Sequence, residues 1–337
     1  MTLDLSRPRV MAILNVTPDS FFAGSRMSCA EAVEARIREA VAEGCDLLDV
    51  GGYSSRPGAD EVDVGEEWRR VELGLAAARR LAPDLPLSVD TFRSEVAARA
   101  LKQFGPLIIN DISAGELDHG MFAVVAAHDA PYIAMHMKGD PKSMQSLTDY
   151  RRDIVTEVVD YLRRRVGEME RAGIRAERIV LDPGFGFAKT AGQNFELLAG
   201  LHRLCAEGYP VLAGLSRKSM IYRTLGTTPD EALPGTIALG WECLRQGASI
   251  LRVHDGGRYG ASLRGLRALP GLTLRPGPGA AAGLPGSGAV KGSEAGGPPR
   301  GSEACGGSGA SGAVELERPA WPTGPVGLPL AENQNRI

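Results

Sequence analysis

Polar side chains that could do chemistry recur along this chain, and they lie at or shortly after the ends of short apolar runs of β-strand length. Their carboxylates and amides can accept hydrogen bonds from a ligand, and their cationic groups can bind negative charge. The same placement after almost every apolar run is hard to explain by solvation alone. In chain order these residues are Asn15, Asp90, Asn110, Asp111, His136, Asp182, Ser216, Arg217, Lys218, Arg252, His254 and Asp255.

The elements that must position these residues alternate between strands and helices. Eight apolar runs, separated by segments with helical spacing, occupy the chain before Arg275. This alternation predicts an α/β fold, a (β/α)8 TIM barrel, with an open doubly wound sheet as the alternative because periodicity cannot show closure. The runs end at Leu14, Val50, Val89, Ile109, Met135, Leu181, Ala213 and Val253.

Helix signals lie between the apolar runs. Ser28 and Glu31 form a capping-box pattern, and Gly44 is a suitable helix stop. Apolar periodicity predicts helices over residues 28–41, 150–173 and 195–205.

In a barrel, the carboxyl ends of all strands open onto one mouth, where such folds place their active sites. We therefore expect the polar residues after the strands to lie together. Structural alternatives stay open for some of them. Asn110 and Asp111 could cap the next helix, and Asp90 with Thr91 could be an ordinary strand-to-helix connection. His136 could equally be a hydrogen-bonded core histidine.

Composition argues against several classes of function. A net charge of −3 gives no field for gathering nucleic acid or anionic lipid. The predicted barrel domain contains neither a GxxxxGK[ST] nor a GxGxxG loop, no cluster has zinc-ligand spacing, and no apolar run could span a bilayer. The five cysteines show no close pairing and the first residues lack a signal-like apolar core, so we expect a reduced, cytoplasmic protein.

A sharp change of composition near Arg275 divides the chain. Residues 1–275 form the predicted barrel domain, and residues 276–337 are dominated by Gly, Ala, Pro and Ser. Such a stretch cannot bury enough apolar surface to offset the entropy lost on ordering its backbone. We expect a low-complexity, disordered tail.

Short motifs at the strand ends occur in a characteristic order. They are Asn15-Val16-Thr17-Pro18-Asp19-Ser20-Phe21, Asp49-Val50-Gly51-Gly52, Ser54-Ser55-Arg56-Pro57-Gly58-Ala59, Ser88-Val89-Asp90-Thr91, Ile109-Asn110-Asp111-Ile112, Met135-His136-Met137, Leu181-Asp182-Pro183-Gly184-Phe185-Gly186-Phe187, Ser216-Arg217-Lys218-Ser219 and Arg252-Val253-His254-Asp255. Together they resemble the signatures of the dihydropteroate synthase family. The resemblance runs from about Val10 to Leu269 and leaves only the tail uncovered.

The resemblance implies a fold and a reaction. Family members are (β/α)8 barrels, usually homodimers. With the assistance of Mg²⁺ they join 6-hydroxymethyl-7,8-dihydropterin pyrophosphate to para-aminobenzoate, which yields 7,8-dihydropteroate and pyrophosphate. Because the strand ends offer no obvious nucleophile or strong base, our mechanistic hypothesis is a dissociative displacement in which pyrophosphate leaves before the aniline attacks.

The resemblance also implies roles for individual residues. The pterin pocket would be formed by Asp90, Asn110, Ile112, Met135, Asp182, Gly214 and Lys218, of which Asp90, Asn110, Asp182 and Lys218 would be catalytic. Pyrophosphate would be bound by Asn15, Arg56, Arg252 and His254, with Asn15 as the metal-associated residue. The para-aminobenzoate pocket, where sulfonamides compete in the family, would use Ser55, Arg56, Pro57, Phe187, Lys189 and Ser216.

Two departures from the family pattern fall in the second loop, where Tyr53 and Ser55 replace a glutamate and a threonine. We expect Tyr53 to face outward. One alternative function is a methyltransferase that passes a methyl group from methyltetrahydrofolate to a corrinoid. It needs no pyrophosphate site, so Lys218, Arg252 and His254 argue against it. The other alternative is a non-catalytic pterin-binding module, which predicts damaged catalytic loops.

Overall fold

The fold is an eight-stranded parallel barrel surrounded by helices, seen in a computed structural model that describes residues 4–17, 26–54 and 61–267. The strands are short and their residues are almost all buried. They are β1 Arg9–Asn15, β2 Leu47–Gly51, β3 Leu87–Asp90, β4 Ile108–Asp111, β5 Tyr132–Met135, β6 Ile179–Asp182, β7 Leu212–Ala213 and β8 Ile250–Val253.

Strand order shows how the barrel closes. Every neighbouring pair is parallel, in the order β6-β5-β4-β3-β2-β1-β8-β7. Leu181 in β6 forms a further parallel bridge with Val211, just before β7. This contact joins the two ends of the sheet, so the predicted (β/α)8 barrel is confirmed and the open doubly wound sheet is wrong.

Helices follow each strand in the described part of the chain. They are α1 Arg26–Ala42, α2 Val64–Leu81, α3 Ser94–Phe104, α4 Met121–Ala127, α5 Ile154–Arg171, α6 Ala191–Ala199, α7 Leu201–Cys205, α8 Ser219–Tyr222, α9 Leu233–Arg245 and α10 Gly256–Arg267. None of these helices is long and apolar enough to cross a membrane. The predicted tail, residues 276–337, lies outside the described residues, so its boundary and disorder stay predictions.

Three details of the helices differ from the sequence expectations. Helix α1 begins at Arg26, so Ser28 lies inside it and the expected capping box is wrong. Helix α5 begins at Ile154 and not at residue 150, because Asp153 caps it: the Asp153 side chain accepts a hydrogen bond from the Thr156 N–H at 2.9 Å. The third expected helix is broken at Gly200 into α6 and α7. A Cβ at Gly200 would lie 2.6 Å from Val155, so close packing requires glycine there.

Two apolar layers hold the barrel together. The larger one lies between strands and helices. The smaller one comprises Leu5, Met11, Leu47, Ile108, Ile133, Val180, Leu212 and Ile250. Almost all of its members are strand residues, and they pack as side chains inside a TIM barrel do. The layer fills the barrel interior below the mouth.

Candidate active site

The two-residue period of the strands decides which side chains reach the mouth. Alternate residues of a strand face the same side of a sheet. The residues two positions after the interior layer therefore form the next layer toward the carboxyl ends. Starting from Leu47, Ile108, Ile133, Val180, Leu212 and Ile250, that layer is Asp49, Asn110, Met135, Asp182, Gly214 and Arg252.

Arg252 connects the carboxylates of this layer. Its Nε lies 2.6 Å from Asp49 Oδ2, and its Nη2 lies 2.6 Å from Asp90 Oδ2. Asn110 Nδ2 donates to the same Asp49 oxygen at 3.0 Å. One hydrogen-bonded cluster therefore joins the ends of β2, β3, β4 and β8, and it includes the predicted residues Asp90, Asn110 and Arg252.

Asp182 lies on the neighbouring side of the mouth. Its Oδ1 accepts a hydrogen bond from the Gly184 N–H at 2.7 Å, and no hydrogen bond among the described residues uses its Oδ2. A Cβ built on Gly214 would lie 3.9 Å from Arg252 Cβ and 4.0 Å from Asp182 Oδ2. Gly214 thus lies between the two charged groups.

Lys218 reaches the same region from the loop after β7. Its ammonium donates to the Phe185 carbonyl and lies 4.6 Å from the centroid of the Phe187 ring. A cation and an acidic group that can both bind a polar heterocycle are therefore held at adjacent positions of the mouth.

Burial changes the ionisation of these groups. It raises the pKa of Asp90, with Arg252 acting against the shift and Asp49 adding to it. It also raises the pKa of Asp182, against the effect of Lys218 and of the Gly184 N–H. Burial lowers the pKa of Lys218 to about 8, while Asp182 favours its charged form. The ammonium and the carboxylates therefore stabilise one another's charges.

An apolar wall flanks the polar groups. Ile112, Met135 and Ala188 are buried in one cluster, and the half-buried rings of Phe92 and Phe187 pack against it. The predicted apolar residues of the pterin pocket are thus in mutual contact. A flat ring could lie against this surface while its edge meets the polar groups.

Anion-binding candidates line another part of the mouth. A Cβ on Gly51 would lie 3.6 Å from Asn15 Oδ1 and 3.7 Å from Asp90 Oδ2, so the bare glycine leaves space between these side chains. His254 Nδ1 lies 3.1 Å from Ser216 Oγ, and Arg36 donates to the His254 carbonyl at 2.6 Å. Ser216 is therefore held beside the predicted pyrophosphate histidine.

Asn15 is the predicted residue whose side-chain oxygen could take part in a metal site in this region. No group of three or more His, Cys, Asp or Glu side chains among the described residues could hold an ion. Mg²⁺ commonly keeps several waters and takes one or two protein oxygens together with substrate phosphates. An amide oxygen at the mouth fits that type of site, whereas a cage made only of protein groups does not.

Lys189 and His136 are not exposed at the open mouth. The Lys189 side chain is buried, and its ammonium is hydrogen-bonded to His136 Nδ1 at 2.9 Å. Burial lowers the pKa of Lys189 and of His136 well below their usual values. Ser55, Arg56 and Pro57 lie outside the described residues, so their assignment stays a prediction.

The structure shows which polar residues at the ends of β3 and β4 have a structural role. Asp111 accepts hydrogen bonds from the Ser113 and Gly115 N–H groups and from Tyr132 Oη, so it fixes a buried turn. Thr91 donates to Glu67, and its hydroxyl is part of a structural network. By contrast, Asn110, which precedes Asp111, and Asp90, which precedes Thr91, point into the site.

Tyr53 does not face outward as expected. Its ring is half-buried, with its centroid 5.2 Å from that of Phe92 in an edge-on contact. The Arg93 guanidinium lies 5.4 Å from the Tyr53 ring centroid. Sequence periodicity could not show this contact, because Tyr53 lies in an irregular loop.

Asp49 is a residue of the site for which the sequence analysis predicted no role. Its side chain is completely buried, and it pairs with both Arg252 and Asn110. A signal for it was present, because an acidic residue two positions after interior Leu47 must also face the barrel interior.

A separate cavity of about 460 Å³ lies beside α5. It is lined by His136, Tyr150 and Tyr161 among others, but by none of the carboxylates bound to Arg252. Its location is therefore distinct from the cluster at the mouth.

The sequence profile of the pterin binding enzymes matches residues 11–254. This range contains all eight strands except the first two residues of β1, Arg9 and Val10. Dihydropteroate synthase of Escherichia coli K12 is 43% identical over 256 residues, covering 75% of this chain and 89% of that protein. The match therefore spans nearly the whole length of that relative.

Solved structures show the same similarity. Xanthomonas albilineans dihydropteroate synthase with 4-aminobenzoic acid superposes with a TM-score of 0.72 at 43% identity, covering 80% of this chain and 96% of that one. The same enzyme in complex with 7,8-dihydropteroate gives a TM-score of 0.69 at 39% identity, covering 80% and 97%.

Proposed function

This chain belongs to the pterin binding enzymes, in the dihydropteroate synthase family, and we propose how the mouth of its barrel carries out that family's reaction. The enzyme is a transferase of folate biosynthesis. It condenses 6-hydroxymethyl-7,8-dihydropterin pyrophosphate with para-aminobenzoate to give 7,8-dihydropteroate and pyrophosphate. The observation that carries the assignment of the site is the convergence of Asp182, Lys218 and the Arg252-centred cluster at one end of the barrel.

The pterin ring is bound through its edge. Asp182 accepts hydrogen bonds from the guanidine-like N–H edge, and the Lys218 ammonium donates to the carbonyl or ring nitrogen. Asp90 and Asn110 complete the polar contacts, held in place by Arg252 and Asp49. Ile112 and Met135 form the apolar side of the pocket.

The leaving group is bound by cations and an amide. Arg252 and His254, with Arg56 from the second loop, bind the pyrophosphate oxygens, and Asn15 would supply an oxygen to hold Mg²⁺. When bound, Mg²⁺ would neutralise charge that develops on the departing pyrophosphate. Removal of Mg²⁺ with a chelator should stop turnover, and added Mg²⁺ should restore it; full activity without the metal would refute this part.

Para-aminobenzoate occupies a pocket next to the pterin. Support comes from the Xanthomonas albilineans neighbour, whose structure contains 4-aminobenzoic acid. Phe187 and Ser216 are the described residues that we assign to this pocket, and Ser55, Arg56 and Pro57 are assigned from the resemblance. The Phe187 ring already contacts the apolar wall of the pterin pocket.

The reaction proceeds by dissociative displacement. Pyrophosphate leaves, the electron-rich pterin stabilises a cation at its exocyclic methylene, and the weakly basic aniline then attacks. The described residues supply orientation and charge for these steps, because Asp182 and Lys218 together hold the pterin ring in place. A rate that depends steeply on amine nucleophilicity would contradict this order of events.

A product assay tests the assignment. Purified protein with Mg²⁺, the pterin pyrophosphate and labelled para-aminobenzoate should release labelled dihydropteroate and pyrophosphate in equal amounts. Asp182→Asn should abolish this release, whereas Asp84→Asn, a matched change of an exposed residue, should not. Absence of product from folded wild-type protein that binds the pterin would instead favour the non-catalytic module.

The corrinoid methyltransferase alternative is not supported, because the relatives reported above are synthases and the predicted pyrophosphate residues Arg252 and His254 are in place. A homodimer and a cytoplasmic location stay predictions. Sedimentation of the purified protein would test the first, and fractionation of cells the second.

A further inference from the structure

Lys189 is a buried cation at the base of the loop after β6. Its ammonium donates to the Gly184 carbonyl at 2.9 Å, to the Phe187 carbonyl at 3.0 Å and lies 2.9 Å from His136 Nδ1. Among the described residues it makes no ion pair with a carboxylate. Burying a charged or polar amine in this way is costly unless its hydrogen bonds serve the structure around it.

The loop that Lys189 supports has an unusual backbone. Gly184 has φ +69°, Gly186 has φ +80° and Ala188 has φ +50°. Left-handed conformations cost free energy for a residue with a side chain, such as Ala188, and need support from their surroundings. The Lys189 ammonium supplies this support, because it binds two carbonyls of the same short loop.

Both pterin-binding charges are attached to this loop. The Gly184 N–H donates to Asp182 Oδ1, and the Phe185 carbonyl accepts a hydrogen bond from Lys218. A Cβ on Gly186 would lie only 3.0 Å from Lys218 Cδ. A shift of the loop would therefore move Lys218 and loosen Asp182 together.

We propose that Lys189 is a positioning residue, which holds the 184–188 loop so that Asp182 and Lys218 meet the pterin, and that it does not bind para-aminobenzoate. This inference rests on the proposed function. His136 is part of the same arrangement, since its Nδ1 lies 2.9 Å from the ammonium; we assign the tautomer in which Nδ1 accepts this third hydrogen bond and Nε2 carries the proton.

Lys189→Met tests the proposal, because methionine keeps the length of the apolar stem and removes the donors. We expect kcat/KM for the pterin pyrophosphate to fall on the order of 100-fold, as for a misplacement of catalytic groups by about 1 Å. The KM for para-aminobenzoate should stay close to that of the wild type. Lys102→Met, the same change at an exposed lysine of α3, is the matched control.

A pH profile separates positioning from a general loss of structure. The charged groups that interact with Lys218 are Asp182 of β6, Arg252 of β8, Asp90 of β3 and Lys189 of the loop itself. In the wild type, the rate should decline above a pH of about 8, where burial places the pKa of Lys218. In Lys189→Met the decline should move to higher pH, because the loosened loop admits water to Lys218 and because a like charge is lost. His136→Leu keeps Lys189, so a shift to higher pH in that variant reports the loosened loop alone.

Variants of His136 keep the test decisive if Lys189→Met does not fold. His136→Asn places an amide oxygen near the position of Nδ1 and should retain activity, whereas His136→Leu should share the pterin-specific defect and the shifted profile. A raised KM for para-aminobenzoate alone, with unchanged pterin kinetics and pH profile, would overturn the proposal. Inactive wild-type protein would refute the proposed function itself, and with it this inference.

Discussion

Asp49→Asn is the substitution that most sharply tests how the mouth is organised. The Asp49 carboxylate is completely buried, and its Oδ2 receives hydrogen bonds from Arg252 Nε at 2.6 Å and Asn110 Nδ2 at 3.0 Å. The amide has the same shape and can still accept both hydrogen bonds. What it removes is the negative charge that fixes the Arg252 guanidinium between two carboxylates.

The expected magnitude follows from the loss of that charge. A hydrogen bond to a charged group contributes about 1.5–3 kcal/mol, compared with about 0.5–1.5 kcal/mol for a neutral pair. The difference of about 1–2 kcal/mol corresponds to a fall of about 5- to 30-fold in kcat/KM for the pterin pyrophosphate. Thermal unfolding should show a loss of the same order, about 1–2 kcal/mol, because the amide NH2 takes the place of Asp49 Oδ1, which is buried without a hydrogen-bond partner among the described residues.

Steady-state kinetics and thermal unfolding of purified variants provide the assay. Asp129→Asn is the matched control, since Asp129 also pairs with two arginines, Arg175 and Arg178, but lies before β5 at the opposite end of the barrel. Its kcat/KM should match the wild type. If Asp49→Asn were as active as the wild type, or if both variants lost activity equally, the role assigned to Asp49 would be refuted.

Three further predictions address the loops and the substrates. Because burial lowers the pKa of Lys218 to about 8, kcat/KM should fall above that pH as the ammonium loses its proton, and a profile flat to pH 10 would contradict this assignment. Gly184→Ala should lower the unfolding free energy by about 3 kcal/mol or more, since its Cβ would lie 2.0 Å from the His136 carbonyl oxygen. Gly208 has φ +89° and no atom within 4 Å of the position of a Cβ, so Gly208→Ala should lower the unfolding free energy by only about 1 kcal/mol. Equal losses of the two variants in denaturant titrations would count against the packing argument. Sulfonamides should inhibit in competition with para-aminobenzoate, and inhibition that excess para-aminobenzoate does not relieve would place them at another site.

The architecture of the barrel could be predicted from the sequence because its signal is local and repeated. Short apolar runs followed by polar residues predicted all eight strands and their carboxyl ends. Helix boundaries were harder. The pattern at Ser28 and Glu31 resembled a cap, yet the helix begins two residues earlier at Arg26.

The polar contacts of the site join residues that are far apart in the sequence, so they were harder to predict. Asp49 and Arg252 are 203 positions apart, so their ion pair emerges only when β8 closes against β1. The inward direction of Asp49 could still have been inferred from the two-residue period of β2. Lys189 illustrates the opposite case, because no sequence pattern shows that its ammonium turns back to bind carbonyls of its own loop.

A crystal structure of the protein with the dihydropterin pyrophosphate bound would test the central claim most directly. We predict the N–H edge of the pterin within hydrogen-bonding distance of Asp182, the Lys218 ammonium on the carbonyl or ring nitrogen, and the pyrophosphate beside Arg252 and His254. A pterin bound elsewhere, such as in the cavity between His136 and Tyr161, would contradict the assignment of the barrel mouth as the active site.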